Sequence, residues 1–204
     1  MTELQRLYFL RGQTWASREA DDGGEAPWKP EGVLTEPILA ACLAGEKTVA
    51  LDLVGADGRV RAMVLSFERS GHWDEVAQVC LGVQNDLDLP APAVSVSGDT
   101  GYGLWFSLAE AVPLVEAKAF LDGLRRKYLA ELPGECFELR PQAGKPAASA
   151  QSRVNLCPSM HRASGKWSAF IDPSLGSMFS DEPWLDIAPN QDKQADILAG
   201  LESI

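Results

Sequence analysis

The residues most able to do chemistry sit in and beside one glycine-spaced turn. Ser97-Gly98-Asp99-Thr100-Gly101-Tyr102-Gly103 separates a β-forming run, Ala93-Val94-Ser95-Val96, from an aromatic one, Leu104-Trp105-Phe106. Glycine at 98, 101 and 103 lets the backbone take positive φ and approach a ligand closely. Successive N–H groups in such a turn can form a concave anion site. A β-hairpin turn explains the same residues without any ligand. The Ser97 hydroxyl suits a phosphate contact or a turn cap. Asp99 is a common turn former that can also offer an oxygen to a metal ion.

Charge around this turn is uneven. The 204-residue chain carries a formal net charge of −11, which argues against broad non-specific binding of nucleic acid, because phosphate neutralisation dominates that affinity. Yet residues 139–171 contain no Asp or Glu, while they hold Arg140, Lys145, Arg153, His161, Arg162 and Lys166. The N-terminal segment adds Arg11 and Arg18, and a guanidinium matches phosphate bidentately. A local phosphate-facing region on an acidic body fits this distribution, as does a solvated Lys/Arg-bearing loop.

The elements that must position these groups follow from periodicity and breakers. A short element over 3–10 leads to a turn-rich loop at 19–33. Thr35 caps a helix running to Ala44, with Pro37 in its first turn and Gly45 ending it. Strands follow at 47–54 and 59–68, joined through Ala56-Asp57-Gly58, a hairpin signal. Trp73, Val76, Ala77, Cys80 and Leu81 mark a helix over 72–87. Strands at 93–97 and 102–107 flank the glycine turn, and a long amphipathic helix spans 114–132. A short strand at 137–139 precedes a Pro/Ala/Gly/Ser-rich segment at 141–152. A hairpin over 153–172 turns near Ala163-Ser164-Gly165, and a tail helix lies at 190–201. This order gives an α+β class with a mixed sheet flanked by helices, one domain over 1–204.

Cys42, Cys80, Cys136 and Cys157 lack CxxC or zinc-finger spacing, so no zinc is expected. No apolar run reaches the ~18–20 residues of a membrane span, and the chain reads as cytoplasmic with reduced thiols. There is no G-x-S-x-G and no P-loop. The glycines at 98, 101 and 103 have the wrong spacing for a dinucleotide fold and lead into a strand.

The glycine turn with its aromatic run resembles the Ser-Gly-x-Gly-x-His-hydrophobic-Trp segment of the archaeo-eukaryotic primase superfamily, in particular the primase-polymerase domains of bacterial conflict systems and mobile elements. Further segments match in order. Phe9 to Arg18 is similar to an N-terminal Phe-x-Gly-Arg segment with a trailing arginine. Leu43 to Leu51 resembles the helix end and first strand before the catalytic hairpin. Met63-Val64-Leu65-Ser66-Phe67-Glu68 sits where the family carries a strand with Asp-x-Asp. Val154-Asn155-Leu156-Cys157-Pro158 resembles Gly-Asn-x-Ile-x-Leu-Pro, and Ala169-Phe170-Ile171-Asp172 a late strand ending in an acid. The resemblance implies a recognition-motif-like core at about 56–204 with a smaller α/β unit at about 1–55.

It also implies a site. The family holds divalent metal on three carboxylates to stabilise charge in an in-line displacement. Here the first position reads Ser66, the second Glu68 and the third Asp172, while the family histidine reads Gly103. A serine hydroxyl cannot bridge metals as a carboxylate does, so the site is degenerate, with Glu68 and Asp172 left to hold magnesium or manganese weakly and Asp99 as a further oxygen. An alternative alignment places Asp52 first and Val54 second. The implied nucleotide contacts are Ser97, Gly98, Gly101, Arg153 and His161, and the implied nucleic-acid contacts are Arg11, Arg18, Arg140 and Lys145. The expected function is binding of a nucleoside triphosphate or single-stranded nucleic acid in replication, repair or mobile-element defence, with a helicase or replication factor as partner. The alternatives are an active DNA primase/polymerase with a rearranged site, and a protein-interaction scaffold.

Overall fold

The computed structural model describes residues 2–18, 28–142 and 152–204. The strands form two antiparallel sheets that share one core. The first sheet has the order β2-β1-β3-β8, made of β1 (Thr14–Arg18), β2 (Lys29–Val33), β3 (Thr48–Asp52) and β8 (Arg153–Asn155). The second has the order β11-β5-β6-β4-β7, made of β4 (Arg59–Phe67), β5 (Ala93–Val96), β6 (Tyr102–Pro113), β7 (Phe137–Arg140) and β11 (Ala169–Ile171). A small hairpin pairs β9 (Met160–His161) with β10 (Lys166–Trp167). The helix-flanked α+β layout is the one the sequence predicts.

Period-2 alternation in the second sheet divides its side chains between two cores. Met63, Leu65, Phe67, Val94, Val96, Tyr102, Leu104 and Phe106 face α3 (Trp73–Leu87) and α4 (Leu114–Tyr128). Those helices answer with Val76, Val79, Cys80 and Val83, and with Ala117, Leu121 and Leu124, spaced three and four apart on one stripe. Arg125, Arg126 and Lys127 in the last turn of α4 complement its dipole. The other face presents Ala62, Val64, Ala93, Trp105 and Phe170 to the first sheet and to α1 (Thr2–Tyr8) and α2 (Glu36–Leu43). There Tyr8, Trp105 and Phe170 pack with ring centroids 5.4–6.1 Å apart, and α1 also meets α5 (Gln191–Ala199).

Two local expectations are corrected and a third is qualified. Residues 29–33 form the exposed edge strand β2 rather than loop. The turn at 55–58 is the tight hairpin turn expected, with Gly55 N–H donating to the Arg59 carbonyl at 2.8 Å and Val54 bridged antiparallel to Val60, but the strands it joins, β3 and β4, lie in different sheets. The 153–172 segment likewise splits. Only β9 and β10 form its hairpin, while β8 completes the first sheet and β11 joins the edge of the second. The first sheet therefore takes a strand from well beyond residue 55. The loop expected over 19–27 and most of the Pro/Ala-rich segment lie outside the described residues.

The four cysteines are free and buried. Burial pushes the Cys42 thiol up to about 12 and raises Cys80 and Cys157, which leaves these thiols protonated at neutral pH. Among the described residues, no helix is long and apolar enough to cross a membrane.

Candidate functional site

Between the two sheets, beyond the C-terminal end of β4, lies a cleft of about 380 Å³. Its walls bring together Ser66, Glu68, Asp99, Arg140, Arg153 and His161. Ser97, Gly101 and Gly103 line it as well. A hollow of about 420 Å³ between α4 and β7 is slightly larger, but its Lys118 and Asp122 are paired with each other. The cleft holds two arginines, Arg140 and Arg153, each with one buried guanidinium nitrogen that has no protein partner.

Arg153 starts β8 directly opposite Asp52 on β3, and its Nε lies 2.6 Å from Asp52 Oδ1. Both side chains are almost wholly inside, 6% and 3% exposed. Asp52 Oδ2 also accepts a hydrogen bond from Thr14 Oγ1 at 2.6 Å. An unpaired charge would be expensive at this depth, so Asp52 holds the guanidinium in place beside the cleft. The Arg153 Nη2 atom is buried with no protein partner. Asp52 is thus a positioning residue, not the first acid of a metal strand as the alternative alignment has it.

Acids gather at the mouth. Glu68 follows β4 and is exposed at the rim. Its carboxyl pKa is raised, first by partial loss of water around it, then by Glu138 and Asp99, against a lowering by Arg140. Glu138 lies opposite Ser66 in the β4–β7 ladder, and Arg140 opposite Val64, so both share the Ser66 face. Arg140 forms an ion pair with Glu138, and its Nη1 lies 3.5 Å from Ser66 Oγ. The Arg140 Nε atom is buried without a partner. Sequence reasoning gave Glu138 no role. The available signal was the i, i+2 pair Glu138/Arg140 on a strand whose other face is Phe137/Leu139.

Asp172 does not reach this cluster. β11 pairs Ile171 with Val94, whereas Phe67 is level with Tyr102 and Val96. Three strand spacings and about four residue rises separate Glu68 from Asp172, roughly 20 Å. Asp172 instead accepts the Ser174 N–H at 2.8 Å and caps the 3-10 helix Pro173–Phe179, which lowers its pKa. The pair Glu68 and Asp172 is therefore not a metal site. The donor set of the cleft does not suit a divalent ion either. Ser66 is neutral, Gly103 offers nothing, and a guanidinium already neutralises Glu138. Among the described residues, no three His, Cys, Asp or Glu side chains are grouped to hold a metal.

The glycine turn is a hairpin loop whose N–H groups are largely spent within the protein. Gly98, at φ +78°, donates to the Pro183 carbonyl at 3.1 Å. Asp99 and Gly101 N–H both donate to Ser97 Oγ, at 3.1 and 2.9 Å. Of the two readings of this turn, the structure shows the hairpin, with Ser97 capping it in place of an anion. Gly101 is required because a Cβ there would fall 1.7 Å from the Phe67 carbonyl oxygen. At Gly103 a Cβ would lie 2.7 Å from Ser95 Oγ, which accepts the Trp105 Nε1 hydrogen bond at 3.0 Å. His161 reaches the cleft from β9, with Nδ1 2.9 Å from Ser164 Oγ and Nε2 3.9 Å from Asp99 Oδ2.

Other expected contacts are elsewhere. Gly98 does not line the cleft, and Arg11 borders a separate hollow near α1 and α2. Arg18 ends β1, where it pairs with Thr48. Lys145 lies outside the described residues.

The fold has a known counterpart. The chain superposes on the polymerase domain of Mycobacterium tuberculosis ligase D, described in complex with DNA, with a TM-score of 0.56 and 12% identity, over 97% of this chain and 82% of that one. The fold is of archaeo-eukaryotic primase type. The primase-polymerase domain of cyanophage S-2L also matches, at a TM-score of 0.48 and 14% identity, over 97% of this chain and 95% of that one. No family model and no curated protein matches the chain in sequence. At such identities the primase-type likeness concerns the fold alone, and the chemistry must be argued from the cleft.

Proposed function

We propose that this primase-type domain is a nucleotide-binding module whose nucleotidyl-transfer centre is degenerate. The ligand is a nucleoside triphosphate, with single-stranded nucleic acid as the other source of the same phosphate chemistry, in a replication, repair or mobile-element defence setting. The observation that carries this reading is Arg153, a buried guanidinium that borders the cleft and whose Nη2 has no protein partner. A buried donor without an acceptor is costly, and a phosphate oxygen would satisfy it with a charge-assisted bond. Arg140 Nε offers a second unpartnered donor. The Ser97 hydroxyl, which accepts two N–H groups, still has a proton to give, and His161 stands alongside. The cleft volume is within the range of small-molecule sites, roughly 300–1,000 Å³. The ligase D domain of similar fold is described with DNA.

Calorimetric titration with ATP tests this reading. The wild type binds, and a double variant Asp52→Leu/Arg153→Met, which removes the buried pair together, loses binding by about tenfold or more. Equal binding by both proteins refutes it.

A second reading, metal-dependent primer synthesis, draws on the mutual influence of Glu68, Glu138 and Asp99. Primer synthesis on a single-stranded template with manganese, abolished by Glu68→Ala, would establish that reading and refute the first.

A further inference from the structure

We propose that Arg140 is the resident cation of the cleft, so that the phosphates of a nucleoside triphosphate bind there without a divalent metal ion. This rests on the nucleotide-binding reading above and goes further by naming what neutralises the phosphates.

The resemblance puts the first metal-holding carboxylate at Ser66. In the structure that position is answered from the neighbouring strand. The β4–β7 register sets Glu138 against Ser66 and Arg140 against Val64. From there the Arg140 guanidinium sits among the groups a metal would need. Nη1 is 3.5 Å from Ser66 Oγ, Nη2 pairs with Glu138, and Nε is buried without an acceptor. Glu68 lies within electrostatic reach of the same guanidinium.

The ligand set of the cleft agrees. A magnesium ion needs hard oxygen ligands in near-octahedral order. Replacing the first acid by serine removes one anionic ligand, and pairing Glu138 with Arg140 engages another. A divalent ion placed beside the guanidinium meets like charge. Arginine keeps its charge at any pH the protein survives and presents a planar fork that suits phosphate. Arg140 and Arg153 both line the cleft, and each has one buried guanidinium nitrogen without a protein partner, Arg140 Nε and Arg153 Nη2. A triphosphate between them would satisfy both and would not need to bring a metal with it.

Fluorescence titration of the full chain with N-methylanthraniloyl-ATP, in EDTA and in manganese, decides the matter. The wild type is expected to bind with the same affinity, within about threefold, in both conditions. Arg140→Gln is expected to lose about tenfold in EDTA, the worth of one hydrogen bond to a charged group, with an unchanged melting temperature showing that it is folded. Arg140→Lys keeps the charge and should recover part of the loss. Wild-type binding that falls about tenfold or more in EDTA overturns this inference alone, as does an Arg140→Gln variant that binds as the wild type does. Absence of binding in every condition overturns it together with the nucleotide reading. A parallel titration with labelled oligothymidylate separates the two phosphate sources. Oligothymidylate binding that weakens steeply with salt, without binding of the nucleotide, also overturns the inference.

Discussion

Replacing Asp52 with alanine leaves the Arg153 guanidinium charged, buried and without its carboxylate. The two side chains are 3% and 6% exposed and meet at 2.6 Å, so solvent does little to screen the pair. Breaking a buried pair from one side costs about 3–5 kcal/mol, a large share of the roughly 5–15 kcal/mol that holds a domain together. For a domain of this size each kcal/mol moves the melting temperature by about 2–4 °C, so Asp52→Ala is expected to lower it by roughly 6–20 °C. The Thr14 hydroxyl loses its acceptor in the same change. Urea unfolding should show the loss as a lower midpoint at unchanged slope. The double variant Asp52→Leu/Arg153→Met removes both charges and should recover most of the stability, since apolar replacement of a buried pair is often neutral. A loss below about 1 kcal/mol for Asp52→Ala, the range of exposed ion pairs, would refute the claim that Arg153 is held by a buried partner.

Three further outcomes follow from the cleft. Glu68 has a raised pKa, so its ionisation opposes folding at neutral pH. Glu68→Gln should therefore raise the melting temperature at pH 7, with the gain fading as pH falls through the raised pKa toward the ordinary value of 4.5. A gain that persists unchanged at lower pH contradicts the assigned cause. Ser97→Ala removes the acceptor of two N–H groups and should cost about 1–3 kcal/mol in urea unfolding; a neutral result would mean that the turn is not capped by Ser97. Gly103→His, which reinstates the family histidine, should destabilise by about 1–3 kcal/mol through overpacking against Ser95 and Trp105, and should create no primer synthesis. A stable variant with activity would contradict the account of that position.

Much of the fold could be read locally. The α3 and α4 stripes, the hairpin around the glycine turn and the tail helix depend on neighbours in sequence, and they are found where periodicity puts them. What sequence did not reveal is which sheet a strand joins. β3 and β4 are consecutive and tightly connected, yet they serve different sheets, and β8 closes the first sheet from a hundred residues away. That choice is made by long-range burial, which a single sequence does not display. The same limit explains the site. Ser66, Glu68, Arg153 and His161 are brought together as expected. The resemblance puts Asp172 with Glu68, but β11 runs antiparallel to β5 and carries its acidic end away from the cleft. Glu138 was overlooked because its position opposite Ser66 exists only once β7 docks on β4. The glycine turn admits both an anion nest and a plain hairpin, because glycine spacing does not say whether the N–H groups are already spoken for.

The most direct test of the central claim is a crystal structure of the protein with ATP bound in EDTA. The account predicts phosphate oxygens within hydrogen-bonding distance of Arg153 Nη2 and Arg140 Nε, between the two sheets, with no metal ion among them. A nucleotide seated in the hollow between α4 and β7, or held in the cleft only when manganese is supplied, would contradict it.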